Sequence, residues 1–495
     1  MHGTTRRDFV KYAAAGAAGL ALSPLARLLQ AAQSMPVSAP SSRPPNIVLI
    51  LADDLGWKDV GYNGSDFYET PNIDRLAGQS TVFTAAYACA GNCAPSRACL
   101  LSGQYTPRHG VYAVGTTDRG PANLMRLVPI PNKMHLDPEN VTVAEALKAA
   151  GYATGFFGKW HLGKGNGPTS PQEQGFDTAR LAPKQGPQGD PKNIFSITRN
   201  ACDFVEANKD QPFFAYVAHH AVHGPQEARK ETLARFKAKS PGKQHANALY
   251  AACNYDLDDG VGILLRKLDE LKLADNTLVV FTSDNGGTPK SSQEPLRGAK
   301  GCYYEGGIRE PMIVRWLSRV EAGKSCATPV ANVDFYPTFL AAAGATAPAG
   351  KVLDGQSILP LLEDKGKLGR EAIFWHFPGY LDTAVPRGRD PIFRTRPVSV
   401  IRKGDWKLHL YHEEWVLDGG RAKIATNKAA ELYNVVTDVG ERNDLAASRP
   451  DKRDELLDDL LAWIKKTDAP LPSQPNKDYD PTKPPQPSRR GGGEE

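Results

Sequence analysis

The chain has 495 residues, 41% hydrophobic and 23% charged, a balance that fits a soluble globular protein with one large domain and a smaller one. Its formal net charge of +5 is too thinly spread to mark a nucleic-acid surface, and no dense Lys/Arg stripe with interleaved aromatics occurs. A mild positive bias suits an anionic ligand without requiring one.

Residues 1–45 read as an export signal and linker. Thr5-Arg6-Arg7-Asp8-Phe9-Val10-Lys11 precedes a short Ala/Gly run to Leu22 and resembles a twin-arginine signal. The alternatives are the basic region of an ordinary secretory signal or a short anchor helix. The paired arginines, the Phe two residues on and the Lys beyond favour the first reading. It implies the twin-arginine translocase as partner, cleavage between Ala21 and Ala39, and a periplasmic or secreted product. The run is too short and Gly-rich to span a bilayer, and no other segment is apolar enough.

Past the linker, Asn46 to Ala52 is a continuous apolar run, the pattern of a strand buried on both faces. It stops at Asp53-Asp54-Leu55-Gly56, and two adjacent carboxylates there are costly unless a cation or hydrogen-bond donors hold them. Pro71 begins a helix with Thr70 as its expected cap. Cys93-Ala94-Pro95-Ser96-Arg97 then leads from a Gly/Asn/Pro loop into a second helix. Pro95 fits the first turn, Cys93 sits at the positive helix end and Arg97 lies one turn on. Such a cysteine reads as an activated thiol or a metal ligand, against the commoner buried core cysteine.

The strand-then-polar pattern recurs. Residues 152–157 end in Gly158-Lys159-Trp160-His161, residues 212–218 in His219-His220-Ala221-Val222-His223, and residues 277–282 in Ser283-Asp284-Asn285-Gly286-Gly287. Helical patterns at 143–150 and 256–271 lie between. This alternation predicts an α/β domain over 46–370, a large, mostly parallel sheet flanked by helices, whose ligands bind beyond the strands' carboxyl ends. Four strand ends then share an edge with the Cys93 loop. Three carboxylates and an amide oxygen, with no helix-borne His pair, favour calcium, with magnesium second, over zinc.

Together the stretches 51–56, 70–76, 93–103, 158–163, 282–287 and 296–311 resemble the motifs of formylglycine-dependent (type I) sulfatases of the alkaline-phosphatase-like superfamily. The resemblance runs from Asn46 to about Trp463. It implies that a formylglycine-generating enzyme oxidises Cys93 to the catalytic aldehyde. It also implies that Asp53, Asp54, Asp284, Asn285 and the modified Cys93 hold one calcium ion. Arg97 and Lys159 would stabilise the aldehyde hydrate, His161 would help deprotonate it, and His223 and Lys300 would contact sulfate and assist the leaving group. His223 is preferred because the family's histidine stands two before a proline, here Pro225; His219 and His220 are second choices. Ala94, where Ser or Thr is usual, and Gln104, where many relatives carry Arg or a hydrophobe, depart from the pattern and bear on recognition by the maturing enzyme.

Near Glu371 the texture changes to short strand patterns at 373–377, 398–401, 406–410 and 430–433, then a helix at 452–465. This resembles the family's small C-terminal domain, an antiparallel sheet plus helix, over 371–469. Its basic stretch 387–396 is expected to line the pocket mouth, with Arg394 and Arg396 meeting a sugar or further anions. From Pro470 to residue 495, Pro, Lys, Ser and Gly dominate and disorder is expected. Seven cysteines leave at least one unpaired, folding before export argues against reliance on disulfides, and no pair has zinc-finger spacing. The favoured reading is hydrolysis of sulfate monoesters of carbohydrates. Its rivals are a phosphodiesterase or phosphonate monoester hydrolase of the same superfamily, and an inactive calcium-dependent binder of sulfated glycans.

Overall fold

The computed structural model describes residues 43–486; the expected export signal, most of its linker and the end of the tail lie outside them. Strand β1 (Asn46–Ala52) is buried along its whole length near the middle of a nine-stranded sheet. Alternate residues of a strand point to opposite faces, so Ile47, Leu49 and Leu51 join one core and Val48, Ile50 and Ala52 the other. The strands lie in the order β4 (Thr178–Leu181), β3 (Ala153–Gly158), β5 (Phe213–Ala218), β1, β6 (Thr277–Ser283), β7 (Arg309–Arg315), β2 (Thr81–Tyr87), β8 (Lys324–Cys326), and the short β9 (Val330–Ala331) also pairs with β2. All pairings are parallel except those of β7, which runs against both β6 and β2.

The four strands expected to share an edge are consecutive, β3-β5-β1-β6, and their ends are level. Gly158 and Leu51 both lie opposite Ala218, and Ala52 lies opposite Ser283. The polar residues after each strand therefore emerge at one rim.

Helices cover both faces. The helix expected from residue 256 begins at Ala248, because Asn247 caps it by accepting from Tyr250 N. The Pro71–Gly78 helix forms as expected, but Thr70 does not cap it: its hydroxyl accepts from Gly61 N and donates to Asp74. The open N–H groups of Asn72 and Ile73 instead donate to Asp258 on the 248–270 helix. A carboxylate from a packed neighbour satisfies that helix end and ties the two helices together.

In the C-terminal part, β10 (Ala372–Phe377), β13 (Val398–Lys403), β14 (Trp406–Tyr411) and β15 (Ala430–Asn434) form an antiparallel sheet in that order, with a two-stranded ribbon of β11 (Leu381–Asp382) and β12 (Phe393–Thr395). The Pro450–Lys466 helix packs on the sheet, and its Trp463 stacks on Phe374 with ring centres 4.8 Å apart. One hydrophobic cluster joins Tyr87, Cys89 and Cys99 near the large sheet to Trp375, Val400 and Leu408 of the C-terminal sheet.

The tail departs from expectation. Residues 470–486 are not disordered but run along 122–128. Val128 N donates to Gln474 O, Asn476 N to Arg126 O, Asp480 N to Asn123 O and Ala122 N to Gln486 O. A Pro-rich extended segment has few N–H groups of its own, so a neighbouring segment can match its carbonyls; composition alone reads the same residues as unstructured.

Candidate active site

Consecutive residues of an extended strand face opposite ways. A left-handed backbone at Asp54 (φ 64°) breaks that alternation at the end of β1, so Asp53 and Asp54 face one point. Cys93 opens the Cys93–Ser102 helix, all of whose residues are buried. Its Sγ lies 3.4 Å from Asp53 Oδ1 and 3.6 Å from Asp54 Oδ1. From the end of β6, Asp284 Oδ1 accepts from Asp54 N at 3.1 Å. Ligand atoms of Asp53, Asp54, Cys93 and Asp284 all lie within 4.8 Å of one another. Asn285 donates Nδ2 to Asp54 Oδ1 at 2.8 Å, while its Oδ1 is buried without a hydrogen-bond partner. Converging carboxylates beside an orphaned amide oxygen fit a hard divalent cation.

Cationic side chains surround this cluster. Arg97 is fully buried and donates Nε and Nη2 to Asp284 Oδ2 (2.9 and 2.8 Å) and Nη1 to the Lys159 carbonyl (2.7 Å). It braces Asp284 and the end of β3 from behind. Gly158 (φ 113°) makes that strand end possible, since a β-carbon there would strike the Ala218 carbonyl to which Lys159 N donates. Lys159 Nζ is 2.6 Å from Asp53 Oδ2. Lys300 Nζ at 3.0 Å and His223 Nε2 at 3.7 Å converge on Asp54 Oδ2. The His223 ring also meets the Gly224 carbonyl through Nδ1 at 2.6 Å; a carbonyl only accepts, so Nδ1 carries the proton and Nε2 faces the site. The turn bearing Lys300 is tied down on both sides, Lys300 N to Gly287 O and Gly301 N to Gly91 O. Of the second-choice histidines, His220 bonds the Ala182 carbonyl and His219 Nδ1 is buried without a partner.

Charge is unevenly placed. Burial alone would raise the Asp53 carboxyl, but Lys159, His223, Arg97 and Lys300 together hold it well below the usual range. Burial, with Asp53 beside it, pushes Asp284 up to about 6. Burial and then Asp284 push the Cys93 thiol well above its ordinary value. Burial and then Lys159 pull His161 well below the usual imidazole value; burial also lowers His223, against Asp53 and Asp54. Burial lowers Lys159, but Asp53, Cys93 and Asp284 together hold it above its ordinary value.

A cleft of about 440 Å³ opens onto Asp54, His223 and Lys300, and Arg394 lines it. Arg396, expected at the same mouth, is not there. It pairs with Glu413 at 2.8 Å and with Asp390, within the C-terminal part. Gln226, Thr288 and Lys290 also line the cleft and were not among the expected residues. Their one signal is position, a few residues beyond His223-Gly224 and Gly286-Gly287.

The sulfatase family model matches residues 45–345, more than half of the chain. The chain belongs to the sulfatase family. A second model, the C-terminal region of N-sulphoglucosamine sulphohydrolase, matches residues 299–417. A sulfatase of Formosa agariphila is 34% identical over 91% of this chain and 93% of its own. Human arylsulfatase A is 32% identical over 85% of this chain and 87% of its own. The crystal structure of Ps i-CgsB matches with a TM-score of 0.68 at 30% identity, covering 87% of this chain and 95% of that one. Ps i-CgsB has also been solved in complex with k-i-k-neocarrahexaose. This sulfatase is thus a sulfuric ester hydrolase of the alkaline-phosphatase-like superfamily, and its mixed, mostly parallel sheet with a separate antiparallel one is that fold.

Proposed function

We propose that this sulfatase hydrolyses sulfate monoesters of carbohydrates, with a formylglycine made from Cys93 as nucleophile beside a bound calcium ion. The observation that carries this reading is the meeting of Asp53, Asp54, Cys93 and Asp284 with Lys159, Lys300 and His223 at one rim of the sheet. Asp53, Asp54, Asp284, Asn285 and residue 93 would hold the ion, which when bound supplies a fixed positive charge for sulfuryl oxygens. A formylglycine hydrate supplies a hydroxyl nucleophile and a second hydroxyl through which the carbonyl can re-form, which a thiol lacks.

The chain's own residues do the rest. Lys159 and Lys300, each anchored on one of the paired aspartates, place two charges where the negative oxygens of a sulfate ester arrive. His161, held neutral, takes a proton from the attacking hydroxyl. Lys300, beside Asp54 Oδ2, gives a proton to the departing sugar oxygen; His223, whose Nδ1 proton goes to the Gly224 carbonyl, can do so only when its Nε2 toward the cleft is also protonated. Arg97 fixes Asp284 and the Lys159 backbone before substrate arrives.

Carbohydrate as substrate is supported by the open cleft, by Arg394 in its wall and by the oligosaccharide complex of Ps i-CgsB. The twin-arginine-like N-terminus supports action outside the cytoplasm, with the translocase and a formylglycine-generating enzyme as partners. The test is peptide mass spectrometry of residue 93 combined with aryl sulfate turnover. Turnover is expected to track the converted fraction and to vanish in Cys93→Ser. Full activity in unconverted protein overturns the reading, and faster hydrolysis of an aryl phosphodiester than of an aryl sulfate favours the phosphodiesterase alternative.

A further inference from the structure

Lys300 sits in a turn, and both ends of that turn are held by one residue that does not line the cleft. Arg297 Nη1 donates to the Glu441 carbonyl at 3.1 Å, and Glu305 N donates to Glu441 Oε2 at 2.7 Å. Glu441 is fully buried, and its backbone is left-handed (φ 48°), a conformation uncommon for a glutamate. In it the carbonyl and the carboxylate of a single residue reach the two ends of the turn. The carboxylate is itself held. Lys407 Nζ on β14, also fully buried, lies 3.0 Å from Glu441 Oε1 and 3.0 Å from Glu305 Oε1, and His409 Nε2 is 3.3 Å from Glu441 Oε1. Glu305 Oε2 accepts from the Tyr87 hydroxyl at 2.8 Å. Two carboxylates and an ammonium taken out of water gain little stability over apolar side chains of the same size, so what they hold in place matters more than what they add.

What they hold is close-packed backbone. Gly306 N donates to Arg297 O at 2.7 Å, Gly286 N to Gly307 O at 3.0 Å, and Lys300 N to Gly287 O at 2.8 Å. A β-carbon on Gly307 would lie 2.2 Å from the Cys302 carbonyl oxygen, and one on Gly286 2.2 Å from that of Gly306. The turn therefore lies backbone against backbone on the strand end that carries Asp284 and Asn285, with no side chain between them to absorb a shift. We propose that Glu441, fixed by Lys407, is the positioning residue for Lys300: by gripping Arg297 and Glu305 it sets where the Lys300 ammonium stands against the departing sugar oxygen. This rests on the reading of Lys300 as the proton donor to that oxygen. A donor displaced by about 1 Å loses much of its effect, and the loss grows as the leaving group becomes more basic, because a good leaving group needs little protonation. In this way β14, which does not line the cleft, sets part of the rate.

The test is kcat of the matured, full-length protein with calcium on a series of aryl sulfates whose phenols run from acidic to weakly acidic. Glu441→Ala is expected to lose about tenfold more rate on the most basic phenol than on a nitrophenol, a fraction of what a placed proton donor supplies. Arg297→Met, at a half-buried position, frees one end of the turn and should show the same tilt at smaller size even where Glu441→Ala folds poorly. In a Lys300→Ala background Glu441→Ala should add no tilt. Lys407→Met should tilt the series as Glu441→Ala does, and adding Glu441→Gln to it should restore part of the rate, because the amide oxygen still accepts from Glu305 N and an unpaired carboxylate is gone. Losses of equal size across the series, as from fewer folded molecules, overturn the proposal, as does a tilt that Glu441→Ala still adds without Lys300. Hydrogen exchange on peptides spanning 297–307 reads the clamp with no turnover at all: Glu441→Ala should speed exchange there and not in β1 or β5, and unchanged exchange overturns the proposal. Aryl sulfate turnover by matured wild-type protein tests the sulfatase reading separately, so either can fail without the other.

Discussion

Removing the guanidinium of Arg97 would strip Asp284 Oδ2 of both donors and the Lys159 carbonyl of its one from that side chain. Arg97→Lys keeps the charge but loses the fork. The expected result is a fall in kcat of about a hundredfold, on the scale of a lost preorganised donor, with KM for an aryl sulfate little changed because Arg97 does not line the cleft. Steady-state kinetics decide, and a loss confined to KM contradicts the bracing role. Asn285 makes a second case. Calcium added to chelator-treated wild-type protein should raise Tm, since binding stabilises by about 2.7 kcal/mol at a hundredfold excess over Kd. Asn285→Ala should shrink that shift by removing the orphaned Oδ1. No calcium-dependent shift in the wild type counts against the ion. The aspartates were legible in the sequence because each ends an apolar run, where a charge needs a reason. Arg396 misled because its partner Glu413 lies on another element, and Lys290 was missed because nothing local separates it from any loop lysine.

At the scale of elements, apolar runs located the central strands closely, but β2 and β7 went unremarked and the Pro71–Gly78 cap was assigned to the wrong residue. Caps and edges depend on what packs alongside, and Asp258 is far from Thr70 in the chain. The Pro450–Lys466 helix offers a stability test. Trp463 is nearly buried, stacked on Phe374 and edge-on to Tyr105 at 5.6 Å. Trp463→Ala should cost about 3–5 kcal/mol, read as a lower denaturant midpoint. Deleting residues 470–495 should also lower the midpoint, by about 1–3 kcal/mol net of the ordering it releases, because the 122–128 segment loses its partners. An unchanged midpoint in that deletion would mean the strap contributes nothing.

Across the whole molecule, buried imidazoles set the acid limit. Desolvation pulls His109 and His219 down to about 3 and His376 to about 4. In the unfolded chain each titrates near 6.5, so between about 6.5 and those lower values the unfolded state binds more protons. Their contribution is complete above about pH 6.5 and is lost as pH falls, by up to about 1.4 kcal/mol per pH unit for each histidine. Tm should therefore decline from about pH 6.5 downward, and His376→Gln should flatten the slope. A Tm constant down to about pH 5 would contradict this account.

Cys93 has no solvent exposure, and the helix it opens is buried throughout. If residue 93 is converted to formylglycine as proposed, the maturing enzyme must reach it before the chain closes, because the closed molecule exposes no part of it. On that proposal the conversion finishes in the interval between synthesis and closure. Rapid folding, ordinarily an asset, would then seal in the raw thiol, and slow closure of this one segment would be a condition for ever being active.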